Sequence, residues 1–465
     1  MKLSKLALLA AFACGIQAGS ASAQQMLTAS FGDVAQVGCF DSEPECGYDA
    51  TCCDPACGCE TGCCEPACGC EVGCDSSGCD GCGCGGAGGG IFFKDGSLPN
   101  LCCSCECDLG DPWLLCGNHW GWDKGGWLQI GYHSEGRNGR NFNNHPDQVN
   151  LHQAWFFMEK AADGSNGLDW GGRVDYVYGV DAQDTQAFGL DNGHWDTSWD
   201  NGIYGHALPQ AYGELAYGDL SVKLGHFYTI IGYEVVTAPD NFFYSHAFTM
   251  YNSEPFTHTG ALATYNVGDN TSIFAGYTLG WDSGFADNGD NFIGGVSQQL
   301  DDTTNITFAY VAGRFSRNSN AGAIYGGEKG NMFSIVTQKQ LGGKLAYINQ
   351  IDYLKTEVEG GGVTVNARDT FDINNYLIYT INDCWAIGGR FEWWNVEGAG
   401  YGLAAGDNRD IYDLTLGINY RGNANWIIRP EVRWTWDEEG DAAFAVNENF
   451  DDQQTTFGID GIFTF

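Results

Sequence analysis

Of the 21 cysteines in this chain, 18 crowd between Cys39 and Cys107. That density permits two chemistries, thiolate clusters that bind soft metals or a network of disulfides. The centre of the segment is a tandem repeat of 11 residues. Its first copy places Cys52, Cys53, Cys57 and Cys59, and its second places Cys63, Cys64, Cys68 and Cys70 at the same spacing. The start of the chain helps to choose between the chemistries. Lys2 and Lys5 precede the apolar stretch Leu6 to Phe12, and Ala21-Ser22-Ala23 offers a small-residue cleavage site. This is the pattern of a secretory signal peptide over residues 1–23. Export leads to an oxidising compartment, where disulfides form and persist. The segment also holds too few large apolar residues to build a core, so crosslinks must hold whatever shape it has. Adjacent cysteines bond each other poorly, which directs partners elsewhere in the segment or to other envelope proteins. Residues 24–110 are therefore expected to form an irregular, cysteine-rich, crosslinked module, with a metal-binding cluster as the alternative. Cys116 and Cys384 stand apart. A disulfide between them, or from either to the module, is a further expectation.

The carboxylates are the second chemical resource. Against 59 acidic residues stand 21 basic ones, a net charge of -38. Such a surface repels polyanions, which excludes a nucleic-acid partner, and it attracts cations. The sequence contains no Gly-x-Ser-x-Gly, no His-Glu-x-x-His and no glycine-rich phosphate loop. It therefore offers no catalytic residue and no cofactor site, and an enzyme is not expected. Asp287-Asn-Gly-Asp-Asn291 lacks the ligand spacing of a calcium loop, so no metal site is assigned.

The elements that must position these groups are strands. In the closing segment Phe457, Ile459, Gly461, Phe463 and Phe465 fall on one face of an extended chain, with Thr456, Gly458, Asp460 and Thr464 on the other. Before it, Trp426, Ile428, Pro430, Val432, Trp434 and Trp436 alternate with Ile427, Arg429, Glu431, Arg433 and Thr435. About sixteen such segments are expected. They begin near Trp127, Val149, Leu168, Pro209, Leu220, Phe256, Thr271, Phe292, Thr304, Asn331, Lys344, Thr370, Cys384, Arg409, Asn425 and Gln454. Tight turns such as Gly218-Asp219, Asn382-Asp383 and Gly422-Asn423-Ala424 interleave with long polar connectors. The long ones are 181–208, 228–255, 316–330, 357–369 and 437–453. Short connectors at one end and long ones at the other, with no apolar run long enough for a membrane helix, mark residues 111–465 as an all-β, antiparallel, up-and-down transmembrane β-barrel. An even strand number puts both ends on the periplasmic side. Trp127, Trp281, Trp385, Trp393, Trp426 and Trp436 are candidates for the aromatic girdles at the membrane interfaces.

Four stretches carry a resemblance: Leu224 to Glu234, Ala238 to Ser245, Glu254 to Gly260 and Ala275 to Asp282, with Phe391-Glu-Trp-Trp394 as a further match. They resemble the OmpL-like beta-barrel porin family of bacterial outer membranes, over roughly Trp127 to Phe465. The resemblance implies a porin, a water-filled channel for passive diffusion of small hydrophilic solutes or ions; it brings no solute with it. By architectural analogy, the connector from Tyr228 to Pro255 holds the place of the loop that narrows the lumen of sixteen-stranded porins. Its Glu234, Asp240 and Glu254 are candidates for a pore constriction, facing Lys223, Arg390, Arg429 and Arg433 on the wall. Together with the acidic balance these predict a cation preference. The expected partners are outer-membrane lipid, small solutes or cations, crosslinked envelope proteins and two further copies in a homotrimer. The alternative is a structural or adhesive envelope protein with a closed barrel, anchored through a periplasmic cysteine-rich module.

Overall fold

The computed structural model describes residues 107, 109–136, 141–187, 195–285, 289–316, 327–360, 362–437 and 452–465. The signal peptide, the cysteine repeat, and Asp287 and Asn288 of the Asp287–Asn291 stretch lie outside the described residues. The chain begins with β1 (Cys116–His119), β2 (Trp122–His133), β3 (Val149–Lys160), β4 (Asp169–Gly179), β5 (Asp200–Asn201) and β6 (Tyr204–Tyr217). It continues with β7 (Leu220–Tyr228), β8 (Thr257–Asn266), β9 (Thr271–Thr278), β10 (Asp290–Asp301), β11 (Thr304–Arg314) and β12 (Glu328–Gln340). The last are β13 (Leu345–Gly360), β14 (Val363–Asn382), β15 (Trp385–Glu397), β16 (Asn408–Asn423), β17 (Trp426–Asp437) and β18 (Gln453–Thr464).

Leaving aside the short β1 and β5, sixteen strands pair antiparallel with their sequence neighbours. The ring closes where β18 pairs with β2, from Gly458 opposite His133 to Thr464 opposite Trp127. All sixteen correspond one to one with the segments read from the sequence. Closure leaves no unpaired edge, which a sheet in lipid requires. The side chains obey the same solvent. Leu128, Ile130, Ile273, Phe292, Leu377, Ile387, Leu416, Phe457 and Ile459 are large, apolar and exposed on the outer face. Their strand neighbours turn inward, as Thr456, Gly458 and Asp460 do on β18. Among the described residues no helix is long and apolar enough to cross a membrane; here the crossing elements are strands.

Two expectations need correction. The stretch 357–369 is not a long connector: β13 and β14 continue their ladder from Glu357 opposite Asn366 to Gly360 opposite Val363. Val358, Val363 and Val365 favour extended backbone there, and the polar residues between them only solvate its flanks. The second concerns the girdle. Trp385 and Trp426 do sit exposed at the turn end, packed on Tyr420 and Phe463 with ring centroids 4.4 and 4.9 Å apart. Trp127, however, points inward, where its ring stacks on Trp155 at 4.8 Å and its indole N–H donates to Gln153 at 2.9 Å. Trp281 is also enclosed, against Phe315 and beneath the Arg368 guanidinium. Both found partners for their polar N–H or π face inside, which removes the reason to seek the interface.

Candidate functional site

Residues 229–256, between β7 and β8, fold into the barrel and cross it to the far wall. The register of β15 to β18 places Gly388, Gly417, Glu431 and Gly458 side by side in one row. The three consecutive aromatic residues Phe242, Phe243 and Tyr244 lie against its glycines. A Cβ at Gly388 would stand 2.5 Å from the Phe242 ring, at Gly417 3.1 Å from the Phe243 ring, and at Gly458 3.0 Å from the Tyr244 ring. Only glycine leaves those notches open. Within the row, the Glu431 carboxylate accepts the N–H groups of Tyr244 at 3.0 Å and Ser245 at 3.2 Å.

The next anchor caps a helix. Glu392 of β15 accepts from the N–H groups of Phe248 at 2.9 Å and Thr249 at 2.7 Å, the first turn of the short helix Phe248–Asn252. A carboxylate there satisfies donors that the helix itself cannot. Three wall arginines then grip loop carbonyls. Arg390 donates to Ser245 O at 2.7 Å, Arg433 to His246 O at 2.7 Å, and Arg429 to Ala238 O at 2.8 Å and Asn241 O at 2.6 Å. Each also holds a carboxylate: Arg390 pairs with Glu234 at 2.7 Å, Arg429 with Asp460 at 2.5 Å, and Arg433 with Asp413. Charge pairs this deep cost more to desolvate than exposed ones, and loop carbonyls add hydrogen bonds that help to offset that cost.

The structure therefore brings Arg390 and Glu234 into direct contact rather than across a gap. Tyr376 also donates to Glu234, at 3.1 Å, and so does Ala247 N, at 2.7 Å. Burial works against the Glu234 charge, but Arg390, His246 and the Ala247 N–H outweigh it and hold the carboxyl below its usual range. Glu254 has the opposite surroundings. Burial and the adjacent Asp352 push its carboxyl well above the usual range, and Gln350 donates to it at 2.5 Å. Asp240 alone of the three loop carboxylates is exposed. It accepts from the Thr237 hydroxyl; the surrounding barrel raises its carboxyl above the usual range by desolvation, and Thr237 and Arg173 of β4 pull the other way.

On that side of the lumen the sequence singles out Lys223 alone. Arg173 pairs with Asp175 at 2.6 Å and with Glu159 at 2.8 Å, and its guanidinium sits over the Phe157 ring. Lys223 lies over the Tyr212 ring at 4.6 Å, with Glu214 and Glu159 acting on it through space. Arg173, Glu159, Glu214 and Tyr212 all retain partial access to water. The signal that could have found them was their common inward phase on β3, β4, β6 and β7.

A further chain of groups fixes the loop tip. The Tyr244 hydroxyl meets His152 Nε2 at 2.6 Å and His133 Nδ1 at 3.3 Å, and His152 Nδ1 meets Asp181 at 2.8 Å. The order Asp-His-hydroxyl is that of a hydrolase triad. Here the hydroxyl is enclosed between two imidazoles, so it anchors the loop. Ser245 and His246 form no dyad, since the first meets Arg390 and the second meets Val235 O. Cys384, at the turn before β15, and Cys107 are both disulfide-bonded, and the backbone of Cys116 pairs with Lys124. Among the described residues no group of three or more His, Cys, Asp or Glu is placed to hold a metal ion.

By sequence, no curated protein matches this chain. Among solved structures, OmpT of Vibrio cholerae in its trimer form is similar at 13% identity and a TM-score of 0.48, covering 74% of this chain and 99% of that one. The outer membrane channel DcaP of Acinetobacter baumannii gives 10% and 0.49, covering 74% and 97%. An anion-selective porin from Comamonas acidovorans gives 10% and 0.48, covering 74% and 99%. The family model described as "Putative beta-barrel porin-2, OmpL-like" matches residues 122–465, the whole of the closed barrel. The chain belongs to this OmpL-like family of outer-membrane beta-barrel porins.

Proposed function

We propose that this outer-membrane porin passes small hydrophilic solutes by passive diffusion and prefers cations. The single observation that carries the preference is how the lumen distributes its charge. Arg390, Arg429 and Arg433 are buried and neutralised by carboxylates. Asp240, Glu159 and Glu214 keep contact with water, facing an Arg173 already committed to two carboxylates. An ion in transit meets mainly the accessible acids. The constriction in this reading lies between Asp240 and the wall of β3, β4, β6 and β7, with Lys223 at its back. Glu234 and Glu254 serve it by holding the loop in place.

Reversal potentials in a salt gradient across planar bilayers test the reading. The double variant Asp240→Asn, Glu214→Gln is expected to shift selectivity toward anions, by up to about fivefold in permeability ratio, because a water-facing charge at close range is worth about 1 kcal/mol. The shift should shrink as salt rises and screens it. An unchanged reversal potential removes these residues from the pore. A homotrimer belongs to the same proposal, and crosslinking in the membrane tests it.

The second reading is a closed barrel serving as an envelope anchor, with the cysteine-rich module periplasmic and crosslinked. The number of wall contacts on the loop favours it, and so does the disulfide at Cys384, since that residue lies on the turn side of the barrel. On the same side, Ala424 N donates to Leu109 O and Trp113 N to Asn425, which straps the incoming chain along the turn rim. A folded sample without measurable conductance would promote this reading over the first.

A further inference from the structure

Behind the C-terminal end of the loop stand three carboxyl groups with no basic partner among the described residues. Glu254 of the loop meets Asp352 of β13, and Asp352 lies directly opposite Asp372 of β14 in the ladder. Their exposures are 5%, 0% and 0%. The Gln350 amide donates to Asp352 at 2.8 Å as well as to Glu254, and the Thr370 hydroxyl donates to Asp372 at 2.9 Å. The second oxygen of each aspartate, Oδ1, is buried without a hydrogen-bond partner, and so is Oδ1 of Asn374, the next inward residue on β14. Among the described residues, the other groups facing the cluster supply no positive charge. They are Ser334 of β12, Ser253 and Glu234 of the loop, and Glu392 of β15. Arg390 is bound to Glu234, and Arg368 to Glu328.

Directly opposed side chains in a ladder lie about 4.5–5.5 Å apart. Like charges at that distance, away from water, cannot all ionise. Buried acceptors left without donors carry a further penalty of about 1–3 kcal/mol each. Both difficulties vanish if the cluster holds hydrogen. We propose that Glu254, Asp352 and Asp372 form a proton-binding site that latches the loop to the wall. The O–H of Glu254 donates to Asp352, and a second proton is shared between Asp352 and Asp372. Loss of a proton to lumen water leaves adjacent carboxylates that repel, and the loop end that carries Glu254 is released. The other end of the loop depends on the same carboxyl. A Cβ at Gly232, which has a φ of +82°, would fall 2.1 Å from Glu254 Oε2. Acid therefore fastens the loop and alkali loosens it.

The test does not depend on conduction. Infrared spectra of the full chain, folded in lipid, should show protonated carboxyl groups at neutral pH that disappear on alkaline titration. That band should weaken in Glu254→Gln and be lost in Glu254→Gln, Asp372→Asn. In bilayers the wild type should become noisier and more conductive as pH rises, and Glu254→Gln, a permanent mimic of the protonated acid, should not. Heat-modifiable gel mobility certifies that each variant folded, and Asp372→Asn alone replaces the double variant if that fails. Absence of the band at neutral pH overturns the proposal. So does an alkaline transition that calcium suppresses and a chelator restores, because the site would then hold a metal cation.

Discussion

Two arcs of the lumen wall face the same loop and use charge in opposite ways. On β15 to β18, Arg390, Arg429 and Arg433 are 0–2% exposed and are held by carboxylates and loop carbonyls. On β3 to β7, Arg173, Glu159 and Glu214 remain partly open to water. A buried charge is a fastener, because its field is consumed by its partners and removing one partner strands the other. An accessible charge is a filter, since its field reaches ions in solution and is weakened by salt. The same residue types, on two arcs of one barrel, thus do different work according to what covers them.

The comparison breaks most visibly at Arg390. Arg390→Met leaves Glu234 buried and unpaired, and should cost about 3–5 kcal/mol of loop docking. Proteolysis within 240–247 and noisy bilayer currents would read it, and Glu234→Gln in the same chain should recover much of the loss. Filling a notch comes next. Gly417→Val drives Phe243 out of its seat at about 1–3 kcal/mol, measured as the denaturation midpoint. Gly389→Val should be nearly silent, because a Cβ there meets the flexible end of Leu416 at 3.3 Å and Thr415 O at 3.9 Å.

A smaller effect tests the loop's upper contact. The Tyr251 hydroxyl donates to Asp184 at 2.7 Å, and burial raises the Asp184 carboxyl to about 7. A raised acid binds its proton more tightly in the docked state, so this contribution is complete below about pH 4 and is lost as pH rises to about 7. Hydrogen exchange across 248–252 should report that slope, and Asp184→Asn should lessen it without touching the infrared band assigned to Glu254. Last, Glu359→Gln removes a pair with Lys329 in which both side chains are at least half exposed. Less than about 1 kcal/mol is expected, with no change in conductance.

The barrel was legible because lipid outside and a polar lumen inside print a period of two. On β17, Arg429, Glu431 and Arg433 share one face and Trp434, Val432 and Ile428 the other. The print fades where both faces are apolar. Ile293, Val311, Met332 and Leu354 point inward into a greasy cluster that also takes Ile231 of the loop. Alternation there separates nothing. The candidate site was half legible. The loop's position and its carboxylates could be read from connector lengths. Which of them would be enclosed could not, because enclosure depends on Glu392, Asp413 and the glycine row of strands far along the chain.

That distance governs how the molecule is made. The loop's anchors lie far downstream of it: Glu392 is 143 residues from Thr249, Arg390 is 156 from Glu234, and Arg433 is 187 from His246. The final strand must then find the first, across more than 300 residues, before the ring is whole. Contacts of such sequence separation form slowly, after the entropy of closing long loops has been met. While the last third of the chain is missing, Glu234 and Glu254 have no wall to meet, and the aromatic run 242–244 lies open to whatever else is sticky. Insertion of the loop must therefore be a late event in assembly, and a chain truncated before β15 would lose its plug along with its seam.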